Sequence, residues 1–218
     1  MNIKEAKEIT GGLSTPSKMP GYAYNLPAKA CRMGSILHKQ KGSVCSGCYA
    51  RKGRYMFPNV QAALTRRLKS LSDPRWVDAM VFLIEHYSKK EPFFRWHDSG
   101  DIQSAEHIQK ILAVVKRTPT ISHWLPTKEY ATVFKELYKD EQLLDKLPNL
   151  TIRFSAYFVN GDVQRELYPA ILAASVATSK DVYPDAFYCP ATIGLSAVCG
   201  SCRACWSKEK WNVCYLKH

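Results

Sequence analysis

The 218-residue chain has no apolar run approaching the roughly 18 residues that cross a bilayer, so a membrane-spanning helix is not expected. Its first ten residues, Met1 to Thr10, are charged and polar, unlike a secretory leader, and a cytoplasmic location follows as the expectation. Internal repeats and low-complexity segments are absent. Acidic side chains are scarce, with 19 Asp and Glu against 31 Lys and Arg, a formal charge of +12. That excess suits nucleic acid or another polyanion as a partner, or simply keeps the chain dissolved. With 46% hydrophobic and 23% charged residues, intrinsic disorder is excluded, and the length suits a single domain over 1–218.

Cysteine, in contrast, is plentiful. Eight Cys in a chain expected to meet a reducing cytosol do not suggest a disulfide framework. Their clustering points to metal. The C-terminal set, within 189–206, is Cys189-Pro190 followed by Cys199-Gly-Ser-Cys202-Arg-Ala-Cys205-Trp206. Three thiolates at three-residue steps with a fourth from a distance is a pattern [4Fe–4S] clusters use. Zinc also takes four Cys, more often as two separated pairs, and stays open as an alternative.

The N-terminal set, in a loop expected over 31–57, is Cys31, Cys45 and Cys48. Three thiolates leave one position of a cluster free for a substrate or cofactor. A closed zinc or cluster site completed by His38 or Cys214 is the competing reading. Cys214 itself sits in an apolar run, Trp211 to Leu216, that reads as a terminal strand, where a small buried thiol is ordinary.

Periodicity predicts an α/β fold. Val60, Leu64, Leu68 and Leu71 mark one helix. Trp76, Met80, Leu83, Ile84 and Tyr87 mark a second, with Asp73 as its expected cap and Pro74 as its first residue. Strands are expected at 22–26, 93–97, 121–126 and from Leu150 in strict alternation to Phe158. Helices are expected after Ser104 and over 129–138. Residues 162–182 are ambiguous, because Pro169 interrupts a helical run. Strands alternating with helices imply a parallel sheet.

Ligands of such sheets bind beyond the carboxyl ends of strands. His97-Asp98-Ser99-Gly100-Asp101 lies there, with His97 and Asp98 as candidate catalytic groups, or the run is no more than a turn before the Ser104 cap. Lys128, at the end of the next strand, is the third candidate catalytic group and suits a carboxylate or phosphate, unless it is an ordinary surface lysine. Arg153 and Ser155 share the strand face opposite Ile152 and Phe154 and bear on a site only if that face is interior.

These pieces together resemble a bacteriophage family known as gene product 88. The likeness runs over Leu26-Pro27-Ala28, Cys45 to Ala50, Arg95 to Asp101, Pro126 to Lys128, Cys189 to Ala191, the closing Cys triplet with Trp206, and His218. It looks like a phage-encoded relative of radical S-adenosylmethionine (SAM) proteins. That resemblance implies a partial (β/α) barrel with a cysteine-rich C-terminal segment, acting in the host cytoplasm. It implies one or two [4Fe–4S] clusters, with Cys31, Cys45 and Cys48 holding the one that meets SAM, and Ser99, Gly100 and Asp101 receiving the cofactor; Arg153 and Ser155 join them as cofactor-binding candidates if their strand face is interior. The fourteen-residue step from Cys31 to Cys45 departs from the tight triplet of that superfamily. Two functions are therefore expected to compete: a redox enzyme, and a non-catalytic cluster or zinc protein whose basic surface binds nucleic acid or a host protein.

Overall fold

The computed structural model describes residues 1–140, 142–163, 172–194 and 197–217. Pro169 and His218 lie outside them. The described residues build one seven-stranded, wholly parallel sheet in the order β1-β2-β3-β4-β5-β7-β6. The strands are β1 (Tyr22–Tyr24), β2 (Phe93–Trp96), β3 (Ser122–Thr127), β4 (Leu150–Ser155), β5 (Leu172–Ala177), β6 (Phe187–Tyr188) and β7 (Asn212–Leu216). The expected α/β class and parallel pairing hold. β1 and β6 are left as edges, so the sheet is an open one.

Helix α1 (Ile3–Thr10) precedes β1, and α3 (Pro58–Ser70), α4 (Trp76–Tyr87), α5 (Ala105–Arg117), α6 (Tyr130–Leu137) and α7 (Leu143–Lys146) lie in the connections between strands. The α4 stripe of Trp76, Met80 and Ile84 and the α5 stripe of Ile108, Ile111 and Val115 bury against Tyr24, Phe94, Trp96, Leu125, Ile152 and Phe154. Burial of such side chains stabilises by about 1.5–3 kcal/mol each. Ser104 caps α5 as expected, its Oγ accepting from His107 N at 3.1 Å. Asp73 does not cap α4: it turns the chain locally, accepting from Arg75 N at 2.8 Å, and the helix starts later, at Trp76.

Three further expectations change. The 31–57 segment is not a bare loop. It contains α2 (Arg32–His38) and short 3-10 turns at Val44–Gly47, Tyr49–Arg51 and Gly53–Met56. The ambiguous 162–182 stretch contains β5, whose small residues Ala173, Ala174 and Ala177 are buried in the sheet. The alternation from Leu150 to Phe158 marks a strand only to Ser155, and its odd-numbered face is not free. Thr151 and Arg153 are as buried as Ile152 and Phe154, because the C-terminal cysteine loop covers that side.

Candidate metal centres

The N-terminal cysteines belong to a cap laid over the carboxyl ends of β1 to β4. Four contacts fix it there. Leu26 N donates to Ser99 O at 2.9 Å, and Val44 N donates to Tyr157 O at 2.9 Å. Val159 N donates to Gly42 O at 3.1 Å. Met33 N, in the first turn of α2, donates to the buried carboxylate of Glu129 at 2.7 Å. Helix α2 occupies the interval between Cys31 and Cys45, which is the physical content of their long separation in sequence.

Gly34 sits on α2 facing the thiols. A Cβ there would lie 2.9 Å from the Cys31 Cβ, 3.6 Å from the Cys31 Sγ and 3.7 Å from the Cys45 Sγ. The glycine thus leaves room between two thiols that a side chain would fill. Burial pushes the Cys31 thiol up, and Asp101, Cys48 and Cys45 add to the shift while Arg51 opposes it. Cys45 is raised by burial and opposed by Lys128. Burial thus favours the protonated thiol at Cys31 and Cys45, and a metal held there would have to displace the protons of these thiols. Lys128 stands among them. Burial pulls its ammonium down, and Cys45, Asp101, Cys31 and Cys48 pull it back.

The acidic run at the end of β2 divides into separate roles. Asp101 is buried, and its carboxylate accepts from Thr127 Oγ1 at 2.6 Å, Ile102 N at 2.8 Å and Lys128 N at 2.8 Å. Burial raises it to about 6 against those bonds. It ties the β2 end to the β3 end and sets the backbone of Lys128. Ser99 donates its hydroxyl to Leu26 O at 2.9 Å. Gly100, at φ 81°, passes so close to Leu26 that a Cβ would lie 2.5 Å from the Leu26 Cβ. Asp98 receives Tyr55 OH at 2.5 Å on Oδ2, whereas Tyr49 OH donates to the Asp98 backbone carbonyl and lies 3.3 Å from Oδ1. His97 turns away into the core at φ 59°, beside Trp96 and His107, with neither ring nitrogen bonded. A left-handed histidine is costly. Its backbone N–H donates to Tyr24 O at 3.0 Å, which closes the turn.

The second group of thiols is elsewhere. Cys189, Cys199, Cys202 and Cys205 line one small pocket with Pro190, Trp206 and Val213. This loop runs across the sheet face opposite the helices, where Ala204, Cys205 and Trp206 pack on Trp124 and Val213. Arg153 holds it. Fully buried, its guanidinium donates to Cys205 O at 3.2 Å, Ala204 O at 3.0 Å, Ser207 O at 2.7 Å and Ala173 O at 3.1 Å. Arg153 therefore serves the C-terminal loop and not the cap, where it was expected. Ser155 lies near the cap, its carbonyl accepting from Tyr130 OH at 2.5 Å. Burial raises Cys205 to about 11, with a Tyr215 hydroxyl 3.1 Å away and Arg95 opposing. Burial likewise raises Cys189 and Cys199.

His38 binds its Nδ1 to Cys45 O at 2.9 Å, and Cys214 lies buried in β7 beside Tyr188. Among the described residues no three His, Cys, Asp or Glu side chains close on one ion-sized point. The thiols form two groups instead: Cys189, Cys199, Cys202 and Cys205 round one pocket, and Cys31 and Cys45 beside Gly34 with Cys48 in the field of Cys31. A thiolate donor set of this kind, four and three strong, fits iron–sulfur clusters in its chemistry.

The sequence reading missed Gly34 and Tyr55 and gave Glu129, Tyr49 and Arg95 no role of their own, although Glu129 follows Lys128 and the other two lie within the quoted motifs. Arg95 carried a readable signal, a lone cation inside the apolar strand Phe93–Trp96. Its guanidinium lies 4.4 Å over the Trp124 ring, and its electrostatic neighbours are Tyr49 and Asp98 on the cap side and Tyr215 and Cys205 on the other.

The chain belongs to the gene product 88 family, whose model matches residues 1–208. No curated protein and no solved structure matches it. No helix among the described residues is long and apolar enough to cross a membrane.

Proposed function

We propose that this member of the gene product 88 family is an iron–sulfur protein with two centres, resembling radical SAM proteins. Cys189, Cys199, Cys202 and Cys205 would close one [4Fe–4S] cluster. Cys31, Cys45 and Cys48 would hold another with one iron position free. The open centre would take SAM or another ligand carrying an aminoacyl group, in a redox reaction. The observation that carries this reading is the cap. It gathers three thiols, one lysine and two aspartates at the carboxyl ends of parallel strands, where such folds bind ligands. A cluster there would supply one-electron chemistry.

The chain's own residues would then divide the work. Lys128 offsets thiolate charge and is placed to receive a ligand carboxylate. Asp101 acts through Lys128, holding its backbone N–H. Asp98 places a carboxylate at the edge of the cap, held by Tyr55 on one oxygen and by Arg95 on the other.

Anaerobic purification with iron and sulfide analysis and electron paramagnetic resonance tests the reading. Two clusters are expected, with SAM perturbing the spectrum of one. Cys48→Ala removes about one cluster's iron and the SAM response with it, while Asp101→Ala weakens the response and keeps the iron. Cys202→Ala gives poorly folded protein, because a lost ligand removes folding free energy. Zinc without iron, or two clusters indifferent to SAM, overturns the enzyme reading in favour of a structural metalloprotein.

A further inference from the structure

The charge of this chain is unevenly placed. Between residues 9 and 72 there are 11 Lys and Arg and no Asp or Glu, and the remaining 20 basic residues face all 19 acids. Nearly the whole net charge therefore lies in the stretch that runs from the end of α1 through the cap and α3. The cap's turns and α2 pack on one another and on α3, so these residues form one continuous body. Lys29, Arg32, Lys39, Lys41, Lys52 and Arg54 are all exposed on it. Asp98, the carboxylate beneath it, is paired with Arg95, and Glu129 is covered by Met33 N.

Exposed apolar side chains are interleaved with these cations. Ile36, Tyr49, Met56 and Phe57 are 56%, 57%, 44% and 54% exposed. Tyr49 and Tyr55 stand with ring centroids 5.8 Å apart, and their hydroxyls are fixed on Asp98. Held at the hydroxyl and open at the ring, Tyr49 is a rigid flat platform. Cations that neutralise phosphates beside aromatic faces that accept unpaired bases are how proteins bind single strands.

We infer that the cap is a docking surface for single-stranded nucleic acid, brought by its charge and aromatic faces onto the rim of the N-terminal cysteine site. A duplex hides its base faces from Phe57 and Tyr49, and an acidic protein offers no planar rings to stack. The inference stands on surface residues and does not depend on what the thiols bind.

The test uses the full chain as purified anaerobically, with fluorescence anisotropy of a labelled oligothymidylate of about 16 nucleotides. Two variants remove equal charge: Arg32→Gln/Lys39→Gln/Lys41→Gln/Arg54→Gln on the cap, and Lys89→Gln/Lys90→Gln/Lys116→Gln/Lys135→Gln elsewhere. The cap variant is expected to lose at least about tenfold in affinity, and its salt slope to fall by about 3, since each lost phosphate contact removes about 0.7. The other variant should bind nearly as the parent does. Phe57→Trp adds an indole reporter whose emission should be quenched as bases stack on it. Iron content, measured on every variant, should stay constant and so separates a lost surface from a lost centre. Equal loss in both charge variants overturns the proposal. Competition by duplex or by poly-glutamate as effective as by single strand also overturns it, as does an indole emission in the Phe57→Trp variant that binding leaves unchanged.

Discussion

Arg95 Nη1 lies 3.0 Å from Asp98 Oδ1, and this ion pair stands between the cap tyrosines and the Tyr215–Cys205 contact. On one side Asp98 receives the hydroxyls of Tyr49, next in sequence to Cys48, and of Tyr55. On the other, Arg95 lies over Trp124 and shares its field with Tyr215, whose hydroxyl touches Cys205. Both partners are largely shielded, so removing one leaves the other poorly solvated. Arg95→Gln should cost about 2 kcal/mol of stability. A double-mutant cycle with Asp98→Asn, followed by urea unfolding, should return a coupling of about 1–2 kcal/mol. Additive single effects would mean that the pair does not join the two regions.

Gly100 and Gly42 share a left-handed backbone, at φ 81° and 83°, but not a neighbourhood. A Cβ at Gly42 meets nothing within 4 Å, whereas one at Gly100 runs into Leu26 side chain and backbone. Gly42→Ala should cost about 1–2 kcal/mol for the backbone alone. Gly100→Ala should cost clearly more, because the β1 and β2 ends must separate. Thermal melting of the two variants side by side decides this, and equal shifts would contradict the close approach.

Arg153 makes four hydrogen bonds to carbonyls, three of them on the C-terminal cysteine loop. Arg153→Met strands those acceptors and should destabilise the protein by about 3 kcal/mol or more. Arg153→Lys should not restore it, since one ammonium cannot reach the points a planar guanidinium spans. If the loop carries a cluster, both variants lose that cluster's iron first and keep the SAM-responsive signal of the other. Loss of the responsive signal alone would place Arg153 at the wrong site.

Burial lowers His123 and His107 from 6.5 to about 3. Both are held neutral in the fold, so the unfolded chain binds protons that the folded chain refuses. Stability from this source is complete above the unfolded value of 6.5 and declines as pH falls from 6.5 toward 3. Between pH 6.5 and 5 each histidine should remove about 2 kcal/mol. His123→Leu should reduce the slope of unfolding free energy against pH in that window by about one proton. Thr118 stays satisfied in that variant through its bond to Val114 O. An unchanged slope would show that His123 takes up no proton on unfolding.

Much of the framework could be read from the residues alone, because it depends on local periodicity. Alternating or continuous apolar runs placed β2, β3, β4 and β7, and helical spacing placed α3, α4, α5 and α6. The cysteine spacings separated four thiols from three, and the family likeness rested on those same motifs. β5 was missed since its alanines carry no strand pattern, and sheet neighbours rather than side-chain chemistry make Leu172–Ala177 extended.

Partnership is what only the tertiary structure decided. Whether Arg153 faces solvent, a cap or a loop depends on what crosses the sheet, and the crossing segment lies some fifty residues later in the chain. Asp101 reads as a free acid until Thr127 and Lys128 are brought to it. Gly34 reads as a weak point in a helix until two thiols are packed against it. Local sequence sets backbone preference and which faces are apolar. The partners of a buried charge come from distant segments, and burial without partners is costly enough that those partners define its role.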